Sequence, residues 1–282
     1  MNKTIFSIFL LVLLVGCSTT EKYDEEFLEE AQEYSTGPEE EQGPSTPKKV
    51  RRKTKRPHVS KTKLQKLCHT NFKKFFKLSK YKASKSSQFF DFYLSLGDCH
   101  YEKDEAHQAF EYYTKAKALI KARPRMKGAV FYKLAETLIL LRQYDKAKSY
   151  LLVSKDYHAV KNKSLYQIGL IELRFFNPSS ALAHIGQIDQ TSFPQDLLKM
   201  SRAHAYFLMG NYQKSIALYG SIDQSKLIET GSGFLFALSL FRAKKYQQTK
   251  EMLVSLEGVD FPQYDNIREY LEENLVQLLA KR

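Results

Sequence analysis

From about residue 90 the apolar residues recur at three- and four-residue intervals, the spacing that lines one face of an α-helix. The helices this predicts are roughly a dozen residues long, and helices of that length are marginal alone in water. A second, longer period runs through them. Tyr93, Leu96, Gly97, Ala109, Tyr113 and Ala116 return as Phe131, Leu134, Ala135, Tyr144, Ala147 and Leu151, then as Leu165, Ile168, Gly169, Ala181 and Ile185. A fourth copy holds Ala203, Tyr206, "GNYQKS" at 210–215, Tyr219 and Ile222, and a fifth holds Phe236, Ala237, Leu240, Tyr246, Leu253 and Leu256. Aligned on the small residue of the first helix (Gly97, Ala135, Gly169, Ala203, Ala237), the copies begin near residues 90, 128, 162, 196 and 230. Three of the four spacings are 34 residues and one is four residues longer. Small residues there let two helices of a copy approach closely, and only stacking on neighbouring copies buries the remaining faces. Asn177-Pro178 supplies a helix start, a capping side chain followed by proline at the first helical position. Beyond Pro262, the residues Ile267, Tyr270, Leu271, Leu275, Leu278 and Leu279 predict one more amphipathic helix over 262–282.

In order and spacing these positions resemble the signature of the tetratricopeptide repeat (TPR). The resemblance implies an all-α fold, a right-handed α-solenoid of about five TPR helix pairs over 90–258 with N- and C-terminal capping helices. Three departures concern the pitch. The consensus tryptophan is replaced throughout and the proline that closes most repeats is largely missing, while Ser215 and Thr249 stand where the second helix usually has alanine.

In such arrays the first helix of each repeat lines a concave protein-binding surface, mainly through its fifth, ninth and twelfth positions. Carried over, these are Leu94, Asp98 and Tyr101, then Tyr132, Glu136 and Ile139. Tyr166, Leu170 and Leu173 follow, then Met200, His204 and Phe207, then Phe234, Leu238 and Phe241. All but Asp98, Glu136 and His204 are apolar or aromatic, which disfavours a groove for an acidic peptide tail. An apolar stripe of this size is either a groove for an amphipathic or extended apolar segment of a partner, or is covered from within, for example by the C-terminal helix folding back.

The N-terminal third is of another kind. Ile5 to Val15 is apolar and follows Lys3, too short to span a bilayer, which takes about 20 helical residues, and patterned like a secretory signal. Leu14-Val15-Gly16-Cys17 resembles the lipobox of bacterial lipoproteins. The resemblance implies removal of 1–16, lipid attachment at Cys17 and, with Ser18 next, an outer-membrane anchor facing the periplasm. Residues 17–59 read as a disordered tether rich in charge, Pro, Gly, Ser and Thr. Residues 21–41 carry ten acidic side chains against Lys22, whereas 42–90 carry sixteen Lys or Arg and no acid. Within 60–86, Leu64, Leu67, Cys68, Phe72, Phe75 and Phe76 share one helical face ringed by lysines. Such a helix either caps the repeat array or lies on an anionic membrane surface.

The net charge of +13 is thus mostly local to that third. An exported, lipid-anchored chain rarely meets nucleic acid, so the expected partners are envelope proteins, with anionic lipid or cell-wall polymer as contacts for the Lys/Arg-rich segment. Of the three cysteines, Cys68 and Cys99 either pair as a disulfide in an oxidising compartment or serve as small buried hydrophobes. No G-x-S-x-G, phosphate-binding glycine loop, H-E-x-x-H or C-x-x-C occurs, and the seven histidines are scattered. The sequence therefore predicts no enzyme, no cofactor and no metal. It predicts a membrane-anchored periplasmic scaffold or adaptor, one possible role being assembly of a cell-envelope complex. The alternative is an envelope-surface module docking on anionic peptidoglycan, lipopolysaccharide or lipid through residues 48–85.

Overall fold

A computed structural model describes Cys68 and residues 86–279, apart from the side chains of Gln263 and Leu279. The signal-like run with Cys17, the tether over 17–59 and, Cys68 aside, the basic segment through residue 85 lie outside the described residues.

The described chain is an all-α solenoid. It runs as α1 (Ser86–Tyr101), α2 (Ala106–Ala118), α3 (Lys127–Leu140), α4 (Tyr144–Ser154), α5 (Lys161–Arg174) and α6 (Pro178–Gly186). There follow α7 (Gln195–Leu208), α8 (Tyr212–Tyr219), the short α9 (Gln224–Glu229), α10 (Ser232–Arg242), α11 (Tyr246–Ser255) and α12 (Asp265–Leu279). The pairs α1/α2, α3/α4, α5/α6, α7/α8 and α10/α11 each pack together, and the second helix of each pair packs on the first helix of the next. Two 3₁₀ turns, Ile120–Ala122 and Pro124–Met126, take up the four extra residues of the longer spacing. Among the described residues no helix is long and apolar enough to cross a membrane.

One turn is used five times. After the first helix of each pair, Asp104, Arg142, Phe176, Gly210 and Lys244 adopt left-handed φ values of 57 to 74°. The next residue donates its N–H back five positions, as Gln143 does to the Leu138 carbonyl at 2.9 Å and Asn211 to that of Tyr206 at 2.8 Å. The left-handed residue itself donates back three positions, as Arg142 does to Ile139 at 3.0 Å. This is the Schellman arrangement, which satisfies carbonyls that a helix C-terminus leaves open. The residue after it then begins the second helix, the Gln143 carbonyl accepting from Ala147 N–H at 3.0 Å. Helix end and helix start are fused, so each pair has a fixed hairpin geometry. Of the two asparagines in that starting position, Asn211 caps with its side chain, accepting from Lys214 N–H at 3.2 Å. Asn177 does not: its side chain bonds the Glu172 carboxylate instead.

Within each pair the small residues mark the contact. Ala135, Ala203 and Ala237 are fully buried. A methyl group at Gly97 would sit 2.4 Å from the Tyr113 ring, and one at Gly169 would sit 2.7 Å from Ile185 Cγ1. Across from them, Ala109, Ala147, Ala181, Ser215 and Thr249 are also fully buried. The two polar substitutes are satisfied. Ser215 and Ser239 hydroxyls bond at 3.0 Å, and Thr249 donates to the Lys245 carbonyl at 3.0 Å. Between the second and third pairs, Lys148 Nζ holds the nearly buried Glu172 at 2.5 Å.

The C-terminal helix α12 closes the array against α10 and α11, burying Leu271 and Leu275. Arg268 donates to the Val259 carbonyl at 2.6 Å and fixes the connection. At the other end Cys68 and Cys99 form a disulfide with Cα atoms 5.7 Å apart. Both are buried with Phe92 and Leu96, so residue 68 is held on α1.

These contacts set three stability effects, read as shifts in urea unfolding. Gly97→Ala is expected to cost about 1–3 kcal/mol through overpacking on Tyr113. Gly210→Ala is expected to cost roughly 1–2 kcal/mol at a left-handed position. Arg142→Gly relieves the same conformation and is expected to be neutral or to stabilise by up to about 1 kcal/mol.

Candidate functional site

First helices of successive pairs also touch each other: α5 contacts α7, and α7 contacts α10. Between them lies a recess of about 220 Å³. Tyr166, Leu170 and Leu173 come from α5, and Leu197, Met200, Ser201 and His204 from α7. The far wall is Thr230, Ser232, Leu235 and Tyr264, with Tyr219 also lining it. Tyr166, Leu170, Leu173, Met200 and His204, five positions carried over from the repeat pattern, therefore meet in one place.

The others are dispersed. Tyr101 and Tyr132 belong to a more polar stretch on α1 and α3. There Asp98 accepts from the Tyr113 hydroxyl at 2.8 Å and pairs with Lys133 at 2.5 Å. The Tyr132 hydroxyl donates to the Glu136 carboxylate and also bonds Gln167. Burial raises the Glu136 carboxyl above its ordinary range, an effect partly offset by the Tyr132 hydrogen bond. Leu94 packs against the core formed by Phe90, Tyr113 and Leu134, and Ile139 against that formed by Leu138, Ala147 and Ile171.

Phe207, Phe234, Leu238 and Phe241 are core residues, not groove wall. They form one buried cluster with Leu271 and Leu275 of α12. The Phe241 and Tyr270 rings meet edge-on at 5.7 Å, and Phe234 stacks with Tyr264 at 5.5 Å. The C-terminal helix supplies the apolar face that a sixth pair would otherwise supply, so these positions are covered.

The recess gains residues that the repeat positions did not indicate. Ser201 and Leu235 stand one place after Met200 and Phe234 and point between helices. Tyr264 lies beyond the last repeat, on the 3₁₀ turn Pro262–Tyr264. It reaches the recess because Gly231, in the left-handed conformation with φ 68°, has no side chain; a methyl there would come within 2.7 Å of the Tyr264 ring.

The recess is electrically neutral, with no Lys, Arg, Asp or Glu in its lining. Its small hydroxyls are engaged with one another. Ser201 donates to the Tyr166 hydroxyl at 3.3 Å, and Thr230 to Ser232 at 3.0 Å. His204 differs. Burial pulls its imidazole down to about 4, and no ion pair or hydrogen bond from the protein offsets that. It is a neutral imidazole at ordinary pH, half-buried in the lining of an apolar concavity.

No family model matches the sequence, and no curated protein matches it. Among solved structures, the chain is similar to the C-terminal part of a TPR repeat-containing protein from Cytophaga hutchinsonii. The likeness has a TM-score of 0.54 at 16% identity and covers 75% of this chain and 84% of that one. At that identity it speaks for the fold, which is TPR-like.

His204 gives the acid stability a definite sign. Its folded-state pKa lies near 4, below the ordinary 6.5, so the unfolded chain binds this proton first as pH falls. The contribution of the neutral His204 is fully present above about 6.5 and is lost as pH falls from 6.5 to 4. Comparing unfolding free energies at pH 7 and pH 5, the protein should lose on the order of 2 kcal/mol more than its His204→Leu variant.

Proposed function

We propose that the chain is a lipid-anchored scaffold of the bacterial cell envelope whose concave face, centred on the α5–α7–α10 recess, holds a protein partner. The observation that carries this is the neutral, largely apolar concavity on a TPR-like solenoid. A TPR-like fold characteristically serves protein–protein interaction, and the recess contains no group of residues that would perform chemistry. Neutral apolar walls favour an amphipathic or extended apolar segment over an acidic tail.

The anchor rests on the sequence alone: the short apolar run, Leu14-Val15-Gly16-Cys17 and the charged tether beyond it. Cys17 carries the lipid in this reading, at the outer membrane with the array facing the periplasm. The Cys68–Cys99 pair fits an oxidising compartment. A tether of roughly 40 residues, treated as flexible coil, gives the array an r.m.s. reach of about 35 Å from the bilayer.

Two experiments check the two halves. A photo-crosslinking residue at Leu170 or Ile139 should capture one discrete protein species, resistant to salt. The same residue at Gln248, exposed on α11, should not. Met200→Glu should abolish the Leu170 adduct. Diffuse, salt-sensitive labelling from all three positions would contradict a groove-bound protein partner. For the anchor, Cys17→Ala should release the protein from the washed outer-membrane fraction with an unchanged thermal transition, since the tether separates lipid from fold. Retention after a high-salt wash would show that lipid is not the anchor.

A further inference from the structure

The recess has the dimensions of one side chain. Pockets for small organic ligands run from about 300 to 1,000 Å³, whereas this one is about 220 Å³, close to the volume of a single large aromatic residue. Its walls are suited to a ring: Tyr166 and Tyr264 provide aromatic faces, and Leu170, Met200 and Leu235 provide aliphatic and thioether contacts.

Charge narrows the occupant further. With no Lys or Arg in the lining, a carboxylate or phosphate would be desolvated without a counter-charge; with no Asp or Glu, so would an ammonium or guanidinium. What remains is a neutral side chain. His204 then distinguishes among neutral side chains, because it lines the recess half-buried, with no hydrogen bond from the protein on its imidazole. A side chain that fills the recess displaces water from that imidazole, and affinity is kept only where the incoming group replaces the lost hydrogen bond. Phenylalanine and leucine offer nothing to pair. Tyrosine and tryptophan carry an apolar ring and one polar tip.

We propose that the recess between α5, α7 and α10 is an anchor pocket for a single tyrosine or tryptophan side chain of a protein partner, with the polar tip hydrogen-bonded to His204. This rests on the groove-binding reading above and makes it specific.

The chain contains no tryptophan, so a short alanine-based peptide with one central tryptophan reports on its own environment by fluorescence. With the full-length protein, its emission should shift to the blue and saturate. The tyrosine-centred peptide should compete, with phenylalanine weaker and leucine weakest. His204→Leu should weaken the tryptophan and tyrosine peptides about 2- to 10-fold, the range of one hydrogen bond, and leave the phenylalanine peptide unchanged. Leu235→Phe, which fills the recess, should remove binding of all four while far-ultraviolet dichroism stays the same. No saturable shift, a leucine peptide that competes as well as tryptophan, or indifference to His204→Leu would overturn the proposal. If binding emerges only when Tyr23, Phe27 and Tyr34 are replaced by serine, the occupant is the chain's own tether and the partner assignment falls. Should Leu170 crosslinking still capture a partner when the peptides fail, the groove reading stands and the aromatic anchor alone is wrong.

Discussion

Everything in this molecule depends on how closely two short helices approach inside each pair. At Gly97 the Tyr113 ring occupies the space where a β-carbon would be, and at Gly169 Ile185 does the same. Protein interiors have no slack to absorb an added methyl without movement. The approach fixes the angle and separation within the pair, and therefore the direction in which the next pair must stack. Ala135, Ala203 and Ala237 hold the same place with a single methyl each, fully buried. Helices of these lengths are at best marginal alone in water. Their order comes from neighbours.

The second constraint is the turn. A left-handed residue and two reverse hydrogen bonds end each first helix, and the residue that completes the turn starts the second helix. Because the device recurs at the repeat spacing, successive first helices arrive side by side, and α5, α7 and α10 come to surround one recess. The array must also stop. The C-terminal helix α12 does this by covering Phe234, Leu238 and Phe241, and the turn before it brings Tyr264 to the recess. The end of the solenoid thus both terminates the core and completes the candidate site.

How legible this was in the sequence differs by feature. The repeat was readable because its small residues are forced by sterics and recur at a constant spacing. The turns were not, since four of the five left-handed positions are Asp104, Arg142, Phe176 and Lys244, and only Gly210 has the residue that conformation favours. Asn177 had the right residue type for a side-chain cap, but Glu172 competes for its amide. The recess was half legible. Tyr166, Leu170, Met200 and His204 follow from repeat positions. Phe234 and Phe241 occupy equivalent positions with equally apolar side chains, yet they are core, and the difference lies in α12, some thirty residues further along the chain. Position within a repeat says which way a side chain points; it does not say what arrives to cover it. Tyr264, outside every repeat, carried no signal.

The central claim is that close packing inside a pair sets the position of the recess between pairs. Gly169→Ala in the full-length chain tests it at one atom, because Leu170 and Leu173 of the recess flank that contact on α5. With methyl-labelled methionine, the account predicts a lower thermal midpoint together with a shifted Met200 methyl resonance, while Met126, packed at the junction of the first two pairs, is unchanged. A lower midpoint with the Met200 signal unmoved would contradict it, for then the recess would be built independently of the helix pair.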